Sequence, residues 1–386
     1  MNQKVIVAGH ICLDIAPLIT SDPVEKVSDL FRPGGLVQVG EARFSTGGAV
    51  ANTGLAMKYF GADTVLVGRI GNDPFGEIVM NTLNGYKAGE HMIVSKEEPT
   101  SYTIILSVPG IDRMFLHAAG ADGSFTADDL PVWMMQEASL FHFGYPQALR
   151  SMYLDDGAEL VRLMRYARDC GTATSLDTAA VDPSSEAGQQ NWKTILDNVL
   201  PYTDFFVPSV EELCSMIDPE RYRQWQKRAE HRDICTVLDT EKDIRPLAEY
   251  CIHHGARVVL LKCGAKGMYL RTAEKDTLER ISPRICMDTQ AWASLSLYED
   301  SYVPERIVSA TGCGDTSIAA FLCSVLNGDP PEECLHLAAA AGAACITGTD
   351  ALSELRPLKI LKEMIDAGWE KTGAKKEGND NACNDE

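Results

Sequence analysis

The fold class this sequence predicts is α/β: a doubly wound, mostly parallel sheet flanked by helices, with a small β-sheet lid. Three observations carry it. From about residue 125 onward, short apolar runs of buried-strand type alternate with helical patterns. Two glycine turns, Gly47-Gly48 and Gly312-Cys313-Gly314, each open an apolar, alanine-rich helix. Two stretches, 36–44 and 101–117, alternate like exposed strands and stand outside that rhythm.

Taken in order, 5–8 reads as a short buried strand ended by Gly9, and Cys12-Leu13-Asp14 follows where the chain leaves the sheet. Segments 36–39 and 41–44 read as exposed strands behind the turn Pro33-Gly34-Gly35. A helix over 49–60, closed by Gly61, leads straight into a buried strand at 64–67, so a right-handed parallel crossover is expected. The glycine-rich 68–76 leads to a further helix, and 101–108 with 113–117 reads as a hairpin. Strands are then expected at 138–143, 173–176, 205–207 and 258–261. Helices over 155–169, 190–199, from Val210, over the charged 219–232 and over 243–254 alternate with them. Two edge-like strands follow Lys262-Cys-Gly-Ala-Lys-Gly267. A last short strand, 306–308, passes through Thr311-Gly312-Cys313-Gly314 into a helix ending at Asn327-Gly328, and two more helices, 331–345 and 357–368, close the fold. The expected organisation is one domain over 1–370 with lid strands at about 14–46 and 100–118, then a disordered Lys-, Asn- and Asp-rich tail over 371–386.

With 386 residues and 45% apolar content, the chain can bury a large core as one big α/β domain or two ordinary ones. A formal net charge of −20 speaks against nucleic acid and against an anionic membrane surface as partners. No apolar run reaches the roughly 20 residues of a membrane span, and the first apolar run is too short for a signal peptide, so a cytoplasmic location is expected. Twelve cysteines show no Cys-x-x-Cys spacing, and Cys263, Cys323 and Cys345 sit in apolar runs, which reads as reduced core thiols rather than disulfides or zinc ligands.

The stretch 308–322 is where the chemistry is expected. Backbone N–H groups of Gly312, Cys313, Gly314 and Asp315 converge at the positive end of a helix dipole, which is a point that binds an anion. A carboxylate at that point is wrong for holding phosphate and right for taking a proton from a hydroxyl that attacks phosphate, so Asp315 is a candidate general base. The plain alternative is a capping aspartate after a glycine turn. No G-x-x-x-x-G-K-[ST] loop occurs, and the first strand is not followed by G-x-G-x-x-G, which weakens P-loop and nicotinamide readings.

Two separated motifs together resemble the ribokinase/PfkB family of carbohydrate and nucleoside kinases. One is Gly47-Gly48-Ala-Val-Ala-Asn52, running through Gly61 to Gly68-Arg-Ile-Gly71-Asn-Asp-Pro-Phe-Gly76; the other is Ala310-Thr-Gly-Cys-Gly-Asp315-Thr-Ser-Ile-Ala-Ala. The resemblance covers about 3–367 and implies a ribokinase-like fold and ATP-dependent, Mg2+-requiring phosphorylation of a hydroxymethyl group on a small sugar or polyol. It implies that Gly312, Cys313 and Gly314 hold the transferring phosphoryl group and that Asp315 is the base. Asp14, Gly48 and Asn52 would bind the acceptor. Lys262, Gly264, Gly267 and Thr311 would line the nucleotide phosphates, and Glu212 would organise magnesium-bound water, with Ser209 at the family's asparagine.

Three departures from the family pattern bear on substrate and cations. Ser309 stands where many members have an aspartate beside a monovalent cation, which puts K+ activation in doubt. Cys12 and Ala49 replace the asparagine and lysine of ribokinase-type sugar sites, so the acceptor need not be ribose. The matched acceptor positions offer no cation, and only Arg43 and Arg113, on the lid, could meet a phosphosugar, so an uncharged acceptor is expected. A nucleoside kinase, a phosphosugar kinase and a non-catalytic sugar or nucleotide sensor remain as alternatives. An exposed lid sheet would gain from pairing with a second copy, which makes a homodimer the expected assembly if there is one.

Overall fold

The computed structural model describes residues 3–111, 113–230 and 232–373; most of the tail expected to be disordered, from 374 on, lies outside the described residues. Fourteen strands form three sheets among them. The first eight are β1 (Lys4–Gly9), β2 (Cys12–Pro17), β3 (Ala42–Gly47), β4 (Asp63–Val67), β5 (Arg69–Gly71), β6 (Ile93–Ser95), β7 (Tyr102–Leu106) and β8 (Met114–Ala118). Then follow β9 (Leu140–Gly144), β10 (Ala173–Asp177), β11 (Phe205–Phe206), β12 (Val258–Lys262), β13 (Gly267–Thr272) and β14 (Ser296–Asp300).

The main sheet has the order β14-β13-β12-β11-β10-β9-β1-β4. From β12 to β4 every neighbouring pair is parallel, and β13 and β14 extend the other edge antiparallel. The strands that helices cover on both faces are continuous apolar runs: Val5, Ile6, Val7 and Ala8 are all fully buried. The chain leaves β1 to form β4 on one side and later lays β9 on the other, so strand order reverses at the carboxyl end of β1. A crevice at such a reversal is where ligands sit in open α/β sheets. Gly9 has φ +121° there, and an added Cβ would lie 2.3 Å from the Gly144 carbonyl oxygen, so no side chain fits. A Cβ on Gly144 would lie 2.1 Å from that of Ala49, which brings the helix Ala49–Tyr59 directly onto the crevice.

A second sheet, β3-β2-β7-β8, covers the crevice; β2 pairs parallel with β7, and its other pairings are antiparallel. Its apolar side chains are only half hidden: Phe44, Phe115 and Leu116 are each more than half exposed. The second half of the N-terminal glycine motif roots this sheet. A Cβ on Gly71 would lie 2.5 Å from Thr100 N, and Asp73 caps the helix Pro74–Gly85 while its other oxygen accepts Thr100 N–H at 2.8 Å.

Two expected strands do not form. Segment 36–39 has the right alternation but no strand partner, and Leu36 is 93% exposed. Segment 306–308 lies outside every sheet, with Ile307 76% exposed; Val308 N–H bonds instead to Ile346 O at the end of a helix. A short apolar run does not by itself distinguish a strand from an arm crossing the sheet end. The glycine turn is therefore reached from an arm, not from a strand.

Candidate active site

Gly312 caps the helix Cys313–Asn327 in the left-handed conformation, φ +75°, and an added Cβ there would lie 2.2 Å from the Ala351 Cβ. Twelve of the helix's fifteen residues are buried, so its start is held firmly. The N–H groups of Gly314 and Asp315 fall in the first helical turn, where no intrahelical acceptor exists. The Cys313 N–H makes a 3.4 Å turn contact with Ala310 O, so it is directed partly back into the turn. Arg113, just before β8, donates to Thr311 Oγ1, which ties the small sheet to the turn.

Asp315 is 4% exposed and accepts three side-chain hydrogen bonds. Thr53 Oγ1 and Tyr145 OH donate to Oδ1 at 3.0 and 2.8 Å, and Asn52 Nδ2 donates to Oδ2 at 3.0 Å. Each carboxylate oxygen has two lone pairs, so Oδ1 is filled while Oδ2 retains one for a further proton donor. Asn52, expected on the acceptor, gives its Nδ2 to this carboxylate.

Lys262 ends β12 and donates from Nζ to Asp177 Oδ1 at 2.8 Å. Its stem runs beneath the glycine turn: a Cβ on Gly314 would meet Lys262 Cδ, Cε and Nζ at 3.5, 3.6 and 3.6 Å. Asp177 is fully buried, and its pKa is pushed up to about 7 by that burial, with Lys262 opposing and the charges of Glu212 and Asp315 adding to the rise. Its second oxygen, Oδ2, is buried without a hydrogen-bond partner. Glu212 Oε2 accepts Ser209 N–H at 2.9 Å and Thr178 Oγ1 at 3.1 Å, a capping box on the helix Val210–Ile217. Asp177, Glu212 and Asp315 thus crowd negative charge around one ammonium.

The other expected phosphate-lining residues have structural duties. Gly267 has φ +120°, and an added Cβ would lie 1.9 Å from Glu299 O, so the β13 to β14 pairing demands glycine. Gly264, φ +54°, lies beside Asp233 and Cys235.

Asp14 on β2 is 9% exposed; it accepts from the Cys12 thiol at 3.4 Å and is also bonded by the Thr103 side chain, and burial raises its pKa. Gly47 passes so close that an added Cβ would lie 2.4 Å from Asp14 Oδ2, and Gly48, φ +85°, would place one 2.4 Å from His10 O. Asp14 and Asp315 sense each other's charge, so the first motif and the last face one space. His10 closes its floor, with Nδ1 on Asp122 Oδ2 at 2.6 Å and its ring 6.2 Å from that of Tyr145. A cavity of about 770 Å³ lined by Trp192, Ser209, Glu212 and Tyr222 shares Glu212 with this region but includes neither Asp14 nor Asp315.

Sequence reasoning missed Thr53, Tyr145, Asp177, His10 and Asp122. Tyr145 carries one visible trace, a Gly-Tyr-Pro turn after an apolar run, and it adopts φ +64°, uncommon outside glycine. Asp177 closes an apolar run and could have been flagged as a carboxylate at a strand end.

The pfkB family carbohydrate kinase model matches residues 4–356. The chain belongs to that family. It is 23% identical to fructokinase-2 of Zea mays, covering 94% of each chain. It is 21% identical to the ribokinase of Arabidopsis thaliana, covering 94% of this chain and 84% of that one. The structure of Arabidopsis thaliana ribokinase complexed with ribose and ATP superposes with a TM-score of 0.68 at 19% identity, covering 95% of this chain and 99% of that one. This pfkB member therefore has the ribokinase fold and is a sugar kinase of the ribokinase and fructokinase type. Among its described residues no helix is long and apolar enough to cross a membrane.

Proposed function

We propose that this pfkB kinase transfers the γ-phosphoryl group of ATP to a hydroxymethyl group of a small uncharged sugar or polyol. The observation that carries the reading is the Asp315 carboxylate, buried at the head of a helix and gripped by Asn52, Thr53 and Tyr145 with one lone pair of Oδ2 left over. That lone pair accepts the proton of the acceptor hydroxyl as its oxygen attacks phosphorus. Gly312, Gly314 and Asp315 present backbone N–H groups to the transferring group, and Lys262, lying beneath Gly314, adds positive charge there. Asp177 and Glu212 would face a Mg2+ ion, which when bound supplies charge neutralisation on the nucleotide phosphates.

Asp14 binds the acceptor. Sugar hydroxyls are donors, and a buried carboxylate held by a thiol and the Thr103 hydroxyl gains from them. Among the matched positions, Cys12, Asp14, Gly48, Ala49 and Asn52 are all without positive charge, which supports an uncharged acceptor. The small sheet acts as a lid that excludes water, with Arg113 on Thr311 as its latch. Its exposed Phe44, Phe115 and Leu116 support a homodimer formed by pairing two such sheets.

The test is an ADP-release screen with Mg-ATP against free hexoses, pentoses, polyols, nucleosides and phosphosugars. Turnover is expected on one free sugar or polyol. Preference for a phosphosugar overturns the assignment of Asp14, and ATP binding without transfer to any acceptor overturns that of Asp315.

A further inference from the structure

Cys313 and Cys345 meet at the glycine turn. The helices Cys313–Asn327 and Pro331–Cys345 run as a close hairpin, so the start of the first lies beside the end of the second. Their backbones nearly touch there: a Cβ on Gly342 would lie 2.5 Å from Ser317 Oγ and 3.6 Å from Cys313 O. Both thiols point into the turn, Cys345 Sγ toward Thr311 O at 3.8 Å and Cys313 Sγ toward Ser309 O at 3.8 Å, and each thiol acts on the acidity of the other. Cys345 is 1% exposed, whereas Cys313 is partly open to solvent.

We propose that Cys313 and Cys345 are a modification site, a dithiol that hydrogen peroxide oxidises to a disulfide which disables the phosphoryl-holding turn. The inference rests on the reading of that turn given above. In the first step a sulfur of the deprotonated pair attacks one peroxide oxygen, the O–O bond breaks, and a sulfenic acid forms with hydroxide as leaving group. In the second the other sulfur attacks the sulfenic sulfur, the S–S bond forms and the S–O bond breaks, expelling water once protonated. Two thiols lose two hydrogens in total and one peroxide becomes two waters.

The acidity of the pair agrees with this chemistry. Burial pushes the thiols of Cys214 and Cys263 up to about 12. Cys345 is lowered, chiefly by the neighbouring Cys313 thiol, so the first proton leaves this pair more readily than it leaves those cysteines.

Forming the bond draws the sulfurs in to about 2.05 Å, well inside the contact distance of two unbonded thiols. Cys313 is the first residue of the helix, so that movement displaces the N–H groups and the carboxylate that follow it. A misplacement of about 1 Å at a reacting centre costs on the order of 10²-fold in rate.

The experiment treats the reduced protein with hydrogen peroxide and reads intact mass, non-reducing peptide maps and kinase turnover. The expected result is a loss of two hydrogens mapped to a Cys313–Cys345 crosslink, turnover down by about 10²-fold, and recovery with dithiothreitol. Cys345→Ala should keep basal turnover and lose both the crosslink and the sensitivity; should it fold poorly, Cys345→Ser serves the same comparison. The proposal is overturned by a wild-type map lacking this crosslink, by full activity in the crosslinked protein, or by an equally sensitive Cys345 variant. Should no acceptor be phosphorylated at all, the reading of the turn falls, while the peptide map still decides whether this pair oxidises.

Discussion

Replacing Asp315 with asparagine separates chemistry from architecture, because the hydrogen bonds around the carboxylate can nearly all be kept. Asn52 Nδ2 must face an acceptor, which orients the new amide with its oxygen where Oδ2 was. The amide nitrogen then faces Thr53 and Tyr145, whose hydroxyls can turn from donor to acceptor. The expected stability change is therefore one weakened hydrogen bond, about 1 kcal/mol. Asp315→Ala, in contrast, strands three donors in a buried site, at about 1–3 kcal/mol for each that water does not reach. Asparagine cannot take the hydroxyl proton, so kcat should fall by about 10²- to 10⁴-fold. The assay pairs ADP release at saturating Mg-ATP and acceptor with thermal unfolding and ATP titration of the same preparation. A variant that turns over at the parent rate would show Asp315 to be a cap alone. A lost rate accompanied by lost ATP affinity or a collapsed melting point would instead trace the effect to folding.

Asp14→Ala should raise the KM of the acceptor about 10- to 150-fold and leave that of ATP in place, the cost of deleting the charged partner of a hydrogen bond; an unchanged acceptor KM refutes the role. Ser309 brings a hydroxyl, bonded to Thr311 N–H, where a carboxylate would hold a monovalent cation, so exchanging K+ for a bulky organic cation should leave turnover unchanged, and a large saturable K+ requirement contradicts this. Asp177 has a pKa raised from 3.8 to about 7, so the folded chain binds a proton there that the unfolded chain has lost, and this stabilisation disappears as pH rises through about 7. Between pH 6 and 8 the wild type should lose about 1.4 kcal/mol that Asp177→Asn does not lose, read from urea unfolding of both proteins, and a pH-independent difference sinks the assignment.

The sequence made the α/β alternation legible because buried parallel strands announce themselves as unbroken apolar runs: 5–8, 173–176 and 258–261 all lie in main-sheet strands. The same signal misled at 306–308, where Ile307 is largely in solvent, Val308 is about half exposed, and neither lies in a strand. Glycine spacing marked Gly48 and Gly312 because positive φ and absent space leave no alternative residue there. What surrounds a carboxylate leaves no such mark. Thr53 lies beside Asn52 in an alanine-rich helix, and Tyr145 follows a strand 170 positions before Asp315, so nothing local says that their hydroxyls end on one oxygen. That convergence exists only because β9 lies against β1 and the helix Ala49–Tyr59 packs on the helix that Asp315 heads. The base is thus a property of strand order as much as of the glycine turn. It follows that a change in the β1 to β9 contact, such as Gly144→Ala, whose Cβ would lie 2.1 Å from that of Ala49, should displace Asn52 and Thr53 and impair Asp315 without touching it.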